Sequence, residues 1–271
     1  MNILCIGDIV GKPGRDALRA LLPGLKKEYK IDCAIVNAEN TASGSGLTSR
    51  LAKQLFDAGS DCLTLGDHVW DQKELEEYLD ETDRVIRPAN FPDGAPGKGW
   101  TIVTTPQGVK IGVVNLLGRT FMRYQVLCPF RTIDEMLPHI RKETANIVMD
   151  MHAETTSEKV AMGHYVNGRV SVLFGTHTHI QTADEEILDQ GTAYITDVGM
   201  TGPYDSVIGQ QKERIIQRFL TSRPIRFQVA KDKIKLCGIV VSIDEKNGRA
   251  KSIRRVQAAY TPEEKPNTSD S

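Results

Sequence analysis

The stretch Val170-Ser171-Val172-Leu173-Phe174-Gly175-Thr176-His177-Thr178-His179 sets the reading of the whole chain. Its opening residues are largely apolar and β-branched and stop at a glycine, the mark of a short buried strand. Two histidines at i and i+2 follow just past the strand end. There the backbone is released from strict two-face alternation, so both imidazoles can converge on a metal. The remaining ligands must come from the ends of other strands.

Four further segments end in the same way. Asn2 to Ile6 runs into Gly7-Asp8, and Cys33 to Asn37 delivers Ala38-Glu39-Asn40. Cys62 to Leu65 delivers Gly66-Asp67-His68, and Asn146 to Met151 delivers His152. Helical patterns separate the first three. Leu18, Leu21, Leu22, Leu25 and Tyr29 share one helical face, with Pro23 expected to kink or break the helix. Thr48 reads as the N-cap of a second helix closed by Gly59, and a third is expected from about Gln72 to Leu79. Strands alternating with helices mean parallel β-α-β units, whose ligands bind outside the carboxyl ends of the strands. Asp8, Glu39, Asn40, Asp67, His68, His152, His177 and His179 are therefore expected to be neighbours.

After residue 84 the pattern changes. Residues 100–117 read as a hairpin around Pro106-Gln107-Gly108. An irregular loop over 119–131 precedes helices near 133–143 and 156–166, and a further strand is expected over 193–196. Within 225–256 the period is two, with Ile239, Val241 and Ile243 on one face and a turn at Asn247-Gly248. Segments 100–117 and 225–256 are expected to build a second sheet packed on the first. The fold class expected is α/β, a four-layer α/β/β/α sandwich of mixed sheets. It would form a single domain over 1–260, followed by a polar, Pro-containing tail at 261–271 expected to be disordered.

Composition narrows the function classes. With 271 residues, 40% hydrophobic, and a formal net charge of −1, the chain lacks the basic excess that bulk nucleic-acid binding requires. No apolar run approaches membrane-spanning length, and the amino terminus enters a strand directly, so neither a membrane span nor a signal peptide is expected. The five cysteines contain no C-x-x-C pair, which argues against a zinc ribbon or dithiol redox chemistry and for buried thiols in the cytoplasm. The glycines at 42–46 are not followed by the Gly-Lys-Ser/Thr of a P-loop.

The donor set itself is informative. Mixed oxygen and imidazole ligands suit iron, manganese or zinc and make a poor calcium cage. There are too many for one tetrahedral site. Seven ligands with one carboxylate shared would hold two metals ~3.5–4 Å apart, the arrangement used to displace phosphate esters.

Gly7-Asp8, Asn37-Ala38-Glu39-Asn40, Gly66-Asp67-His68, Asp150-Met151-His152-Ala153-Glu154 and Gly175-Thr176-His177-Thr178-His179 together resemble the calcineurin-like metallophosphoesterases. More closely, they resemble the bacterial YmdB-type 2′,3′-cyclic nucleotide phosphodiesterases, a likeness that extends through Thr196 to Ser206. The resemblance implies that Asp8, Asn40 and His179 hold one metal, that Asp67, His152 and His177 hold the other, and that Glu39 bridges both. His68 would be the proton donor or phosphate contact. Iron is the foremost expectation for both metals, with manganese or zinc as alternatives. A metal-bridging hydroxide would attack a small phosphodiester, a cyclic nucleotide.

Two residues depart from the wider pattern. The bridging carboxylate is usually aspartate, and the glutamate matches the YmdB branch; position 67 is usually asparagine and here is Asp67. The alternatives are a phosphomonoesterase or protein phosphatase on the same site, or a non-catalytic metal-binding regulatory protein. The sequence leaves a homo-oligomer open.

Overall fold

The computed structural model describes residues 1–262; of the expected disordered tail, residues 263–271 lie outside that range. In chain order, the first half comprises β1 (Asn2–Ile6), β2 (Asp8–Ile9), α1 (Gly11–Glu28), β3 (Cys33–Asn37), α2 (Ser49–Asp57), β4 (Cys62–Thr64), α3 (Leu75–Glu81), β5 (Val85–Ile86), β6 (Trp100–Thr104) and β7 (Lys110–Leu117). The second comprises α4 (Pro129–Arg141), β8 (Ile147–His152), α5 (Thr156–Val166), β9 (Val172–Thr176), β10 (Glu186–Ile187), β11 (Ala193–Ile195), β12 (Met200–Pro203), α6 (Lys212–Thr221), β13 (Ile234–Ile243) and β14 (Ala250–Tyr260).

Two sheets result. The first runs β2-β12-β13-β1-β3-β4-β5 with β14 paired to β13, and the second runs β10-β11-β9-β8-β7-β6. Neighbours β1, β3, β4 and β5 are parallel, as are β7, β8, β9 and β11. The sheets face each other through buried apolar side chains, among them Ile3, Cys5 and Ile35 from the first and Val113, Val148 and Phe174 from the second. Leu18 and Leu22 of α1 and Leu51 and Leu55 of α2 cover the outside of the first sheet. Ile133 and Leu137 of α4 and Met162 and Val166 of α5 cover the second. The layers are α/β/β/α, and the expected fold class stands. No helix among the described residues is long and apolar enough to cross a membrane.

Several sequence expectations are corrected. The hairpin of β13 and β14 does not join 100–117 in the second sheet. Instead β13 pairs antiparallel with β1, Ile3 opposite Val241 and Cys5 opposite Ile239. Without it, the edge of β1 would present unpaired backbone groups. Strand β13 is also apolar on both faces, with Ile239 and Val241 between the sheets and Leu236 and Val240 under the helices, which suits an inner strand. Pro23 does not break α1, which runs unbroken through it. The proline lies on the exposed side of the helix, where the carbonyl it leaves unpaired can turn to solvent, while Leu18, Leu22 and Leu25 anchor the turns around it. Helix α4 starts four residues earlier than expected, with Pro129 in its first turn. There a missing N–H costs nothing. The expected third helix starts later, at Leu75.

One buried ion pair ties α5 to the loop after β11. Lys159 Nζ donates to Asp197 Oδ2 at 2.7 Å, and both side chains are almost fully buried. The same carboxylate accepts from the Thr178 amide at 3.1 Å and its hydroxyl at 2.7 Å, and its other oxygen from the Gly199 amide. Removing one partner of a buried pair leaves an uncompensated charge, at a cost of about 3–5 kcal/mol. Lys159→Met should therefore lower unfolding stability in urea by that order, and a loss below about 1 kcal/mol would show that Asp197 is satisfied without the lysine.

Candidate metal centre

The carboxyl ends of β1, β3 and β4 in one sheet meet those of β8 and β9 in the other, and every residue singled out from the sequence lies there. His152 is the hub. Its Nε2 lies 3.1 Å from Glu39 Oε1, 3.3 Å from Asp67 Oδ1 and 3.0 Å from His177 Nδ1. One ligand atom from each of Glu39, Asp67, His152 and His177 falls within 4.8 Å of the others, and the four could hold a metal ion. Beside them, His179 Nε2 lies 3.1 Å from Asn40 Oδ1 and 3.8 Å from Asp8 Oδ1. Asp8 Oδ1 is in turn 4.0 Å from His152 Nδ1.

Each histidine is aimed by a second contact on its other nitrogen. The Thr176 hydroxyl donates to Asp150, so its oxygen accepts from His152 Nδ1 at 2.8 Å and leaves Nε2 for the cluster. His179 Nδ1 donates to the Ile208 carbonyl at 2.9 Å, directing its Nε2 inward. His177 is turned the other way. Its Nε2 meets Glu154 Oε2 at 3.0 Å, and its Nδ1 faces Asp67 at 3.4 Å. The turn that presents both histidines is strained, with φ of +95° at His177 and +66° at His179. Non-glycine residues rarely adopt such values, and they persist where surrounding contacts enforce them. Here the enforcing contacts are those of Asp197 to Thr178. Gly66 allows the chain to pass beside the cluster, since a Cβ there would lie 2.2 Å from Glu39 Oε2 and 2.3 Å from His152 Nε2.

The electrostatics fit a cation. Burial pushes the Asp8 carboxyl up, and its Oδ1 is a buried oxygen with no hydrogen-bond partner among the described residues. Burial would raise Asp67 too, but hydrogen bonds from His152 and His177 hold it far below the usual carboxylate range. Burial likewise works to neutralise His152, yet the charges of Glu39 and Asp67 keep its pKa well above an ordinary imidazole's. A metal would replace that imidazolium proton with a larger charge. His68 stands at the rim. Its amide donates to Glu39 Oε2 at 3.2 Å, and its Nδ1 meets Asp71 Oδ2 at 2.7 Å. Burial opposes its protonation, but Glu39 and Asp71 outweigh it and the pKa is raised.

A family profile described as YmdB-like protein matches residues 4–256. The chain belongs to the YmdB-like family. It is 49% identical, over 94% of its length and 96% of the relative's, to the Bacillus subtilis protein named 2′,3′-cyclic-nucleotide 2′-phosphodiesterase. The crystal structure of a Mycoplasma pneumoniae phosphatase matches with a TM-score of 0.90 at 34% identity, covering 96% of this chain and 93% of that one. A Thermus thermophilus protein described as hypothetical matches with a TM-score of 0.89 at 39% identity, over 96% and 100% of the two chains. The architecture is thus the metallophosphoesterase fold.

In this YmdB-like chain, the residues that sequence reading left without roles are those that aim the others. Asp150, Glu154 and Thr176 sat inside the quoted motifs, but nothing local distinguishes a ligand from the group orienting it. Lys159 did carry a signal, since it shares the i, i+3, i+4, i+7 stripe of Met162, Gly163 and Val166, the buried face of α5. Glu154 is half exposed, with a side-chain exposure of 49%, so its loss should not unsettle the core. Glu154→Ala is expected to weaken Mn²⁺ affinity about 10–100-fold by releasing the His177 ring. Calorimetric titration of the two proteins measures this, and equal affinities would mean that His177 is held without the carboxylate.

Proposed function

We propose that this protein is a dinuclear metal-dependent phosphodiesterase that hydrolyses 2′,3′-cyclic nucleotides. The observation that carries the reading is the donor arrangement: three buried carboxylates and three aimed imidazoles at the strand ends of two sheets, in a chain 49% identical to an enzyme so named. Glu39, Asp67, His152 and His177 would hold one metal and Asp8, Asn40 and His179 the other, with Glu39 as the shared carboxylate. Iron is the foremost metal, with manganese or zinc as alternatives. When bound, the metals lower the pKa of coordinated water towards ~7 and neutralise charge on the phosphate.

The chain's own residues do the rest. His152, His177 and His179 are fixed in ring orientation by Thr176, Glu154 and the Ile208 carbonyl. Asp71 accepts from His68 Nδ1–H, so the opposite nitrogen can present a proton to the departing alkoxide. Asp71 is itself held by Arg123 at 2.7 Å and by the Ser45 hydroxyl. Asp67 sets the charge. Two divalent ions against three carboxylates would leave one net positive charge before any hydroxide is counted, one less than with asparagine at 67, and the lower charge penalises a monoester more than a singly charged diester. The protein acts in the cytoplasm, where its free thiols, mostly buried, stay reduced.

Metal-loaded protein is expected to open 2′,3′-cyclic AMP. His68→Ala should lose roughly 10²–10⁴-fold on that substrate and less on a p-nitrophenyl diester, whose leaving group needs little protonation. Absence of cyclic-nucleotide turnover by the wild type would refute the reading, and equal losses on both substrates would remove His68 from proton transfer.

A further inference from the structure

Glu39, Asn40, His68, His177 and His179 of the candidate centre line a cleft of about 740 Å³, a volume suited to a small organic ligand. These residues make up only part of its lining. One wall is built by the segment 207–227, which includes α6, and it contributes Ile208, Ile215, Arg218, Phe219 and Phe227. This wall is unusual for a solvent-facing surface. Phe219 is 81% exposed and Phe227 is 40% exposed, while Ile208 is half open to water. Arg218 forms no ion pair among the described residues, and its guanidinium sits 4.9 Å from the centroid of the Phe227 ring. The wall is physically tied to the centre, because the Ile208 carbonyl is the acceptor that orients His179.

A phosphate held at the centre must direct the rest of its molecule along the cleft. We infer that Phe219 and Phe227, with Arg218, form a platform that stacks the nucleobase of a bound nucleotide and so selects nucleoside cyclic phosphates over simple diesters. Two phenyl faces and a guanidinium edge match a planar ring system with polar edges. Ile216 and Leu220 are also exposed on α6 but do not line the cleft, so the base contact belongs to the other face of that helix.

The inference rests on the phosphodiesterase reading, and its test separates the two. The readout is the ratio of kcat/KM for 2′,3′-cyclic AMP to that for glycerol 1,2-cyclic phosphate, a five-membered cyclic diester with no base. Loss of one stacking ring should lower that ratio roughly 5- to 150-fold in Phe219→Ala, whereas Phe219→Trp retains it. An unchanged ratio in Phe219→Ala would overturn the platform. So would an unchanged ratio accompanied by a shift in oligomeric state, which would assign the ring to a second copy of the chain. If the wild type turns over neither diester, the phosphodiesterase reading falls. The platform is then decided by calorimetry on the Mn²⁺-loaded protein with adenosine 3′-monophosphate and inorganic phosphate. A lowered ratio of nucleotide to phosphate affinity in Phe219→Ala supports it, and an equal ratio refutes it.

Discussion

Asp8, Glu39 and Asp67 are buried around a single imidazole, that of His152, at 4.0, 3.1 and 3.3 Å. Among the described residues their ion-pair partners are imidazoles alone. Among the described residues no lysine or arginine forms an ion pair with them. Burying three carboxylates against one another is costly without a cation, and the rest of the site is understood as what makes that burial tolerable. His152, whose pKa the carboxylates raise, balances them with a proton where a metal would take its lone pair. The free oxygen of Asp8 marks a place where a ligand bond is wanted more than a hydrogen bond.

Geometry at this centre depends on contacts well outside it. The left-handed backbone at His177 and His179 is held because Asp197 grips the intervening Thr178, and Lys159 holds Asp197 from beneath. The sheets contribute in the same sense. His177 is carried by β9 of the second sheet, yet its amide donates to Asp8 Oδ2 of the first, at 3.3 Å. That bond fixes the spacing between Asp8 and the histidine turn. The inter-sheet core around Phe174 and Ile35 therefore does more than stabilise the fold, since any slip between the sheets would part the clustered carboxylates and imidazoles.

The sequence reveals the strand ends well, for a physical reason. A buried run followed by a carboxylate or histidine is a local pattern, and the parallel β-α-β rule then collects such ends on one side without any knowledge of distance. Allegiance to a sheet is different in kind. Whether β13 pairs with β1 or with β7 is decided by long-range competition for an open edge, and alternation alone does not express it. Pro23 misleads because the cost of proline depends on whether the lost hydrogen bond faces water, and the burial of Lys159, though its helical stripe hints at it, depends on a partner 38 residues away. The aromatic wall of the cleft is invisible for a similar cause. Nothing in the sequence pattern singles out Phe219, and Phe227 falls within the period-two segment 225–256, until the chain folds back over the histidine turn.

The central claim is that Glu39 joins two metal positions. Anomalous diffraction from crystals of the Mn²⁺-loaded protein, collected on both sides of the absorption edge, tests it most directly. The account predicts two peaks ~3.5–4 Å apart, one among Asp67, His152 and His177, the other among Asp8, Asn40 and His179, with the Glu39 carboxylate between them. A single peak at full metal loading, or a pair that Glu39 does not contact, would contradict it.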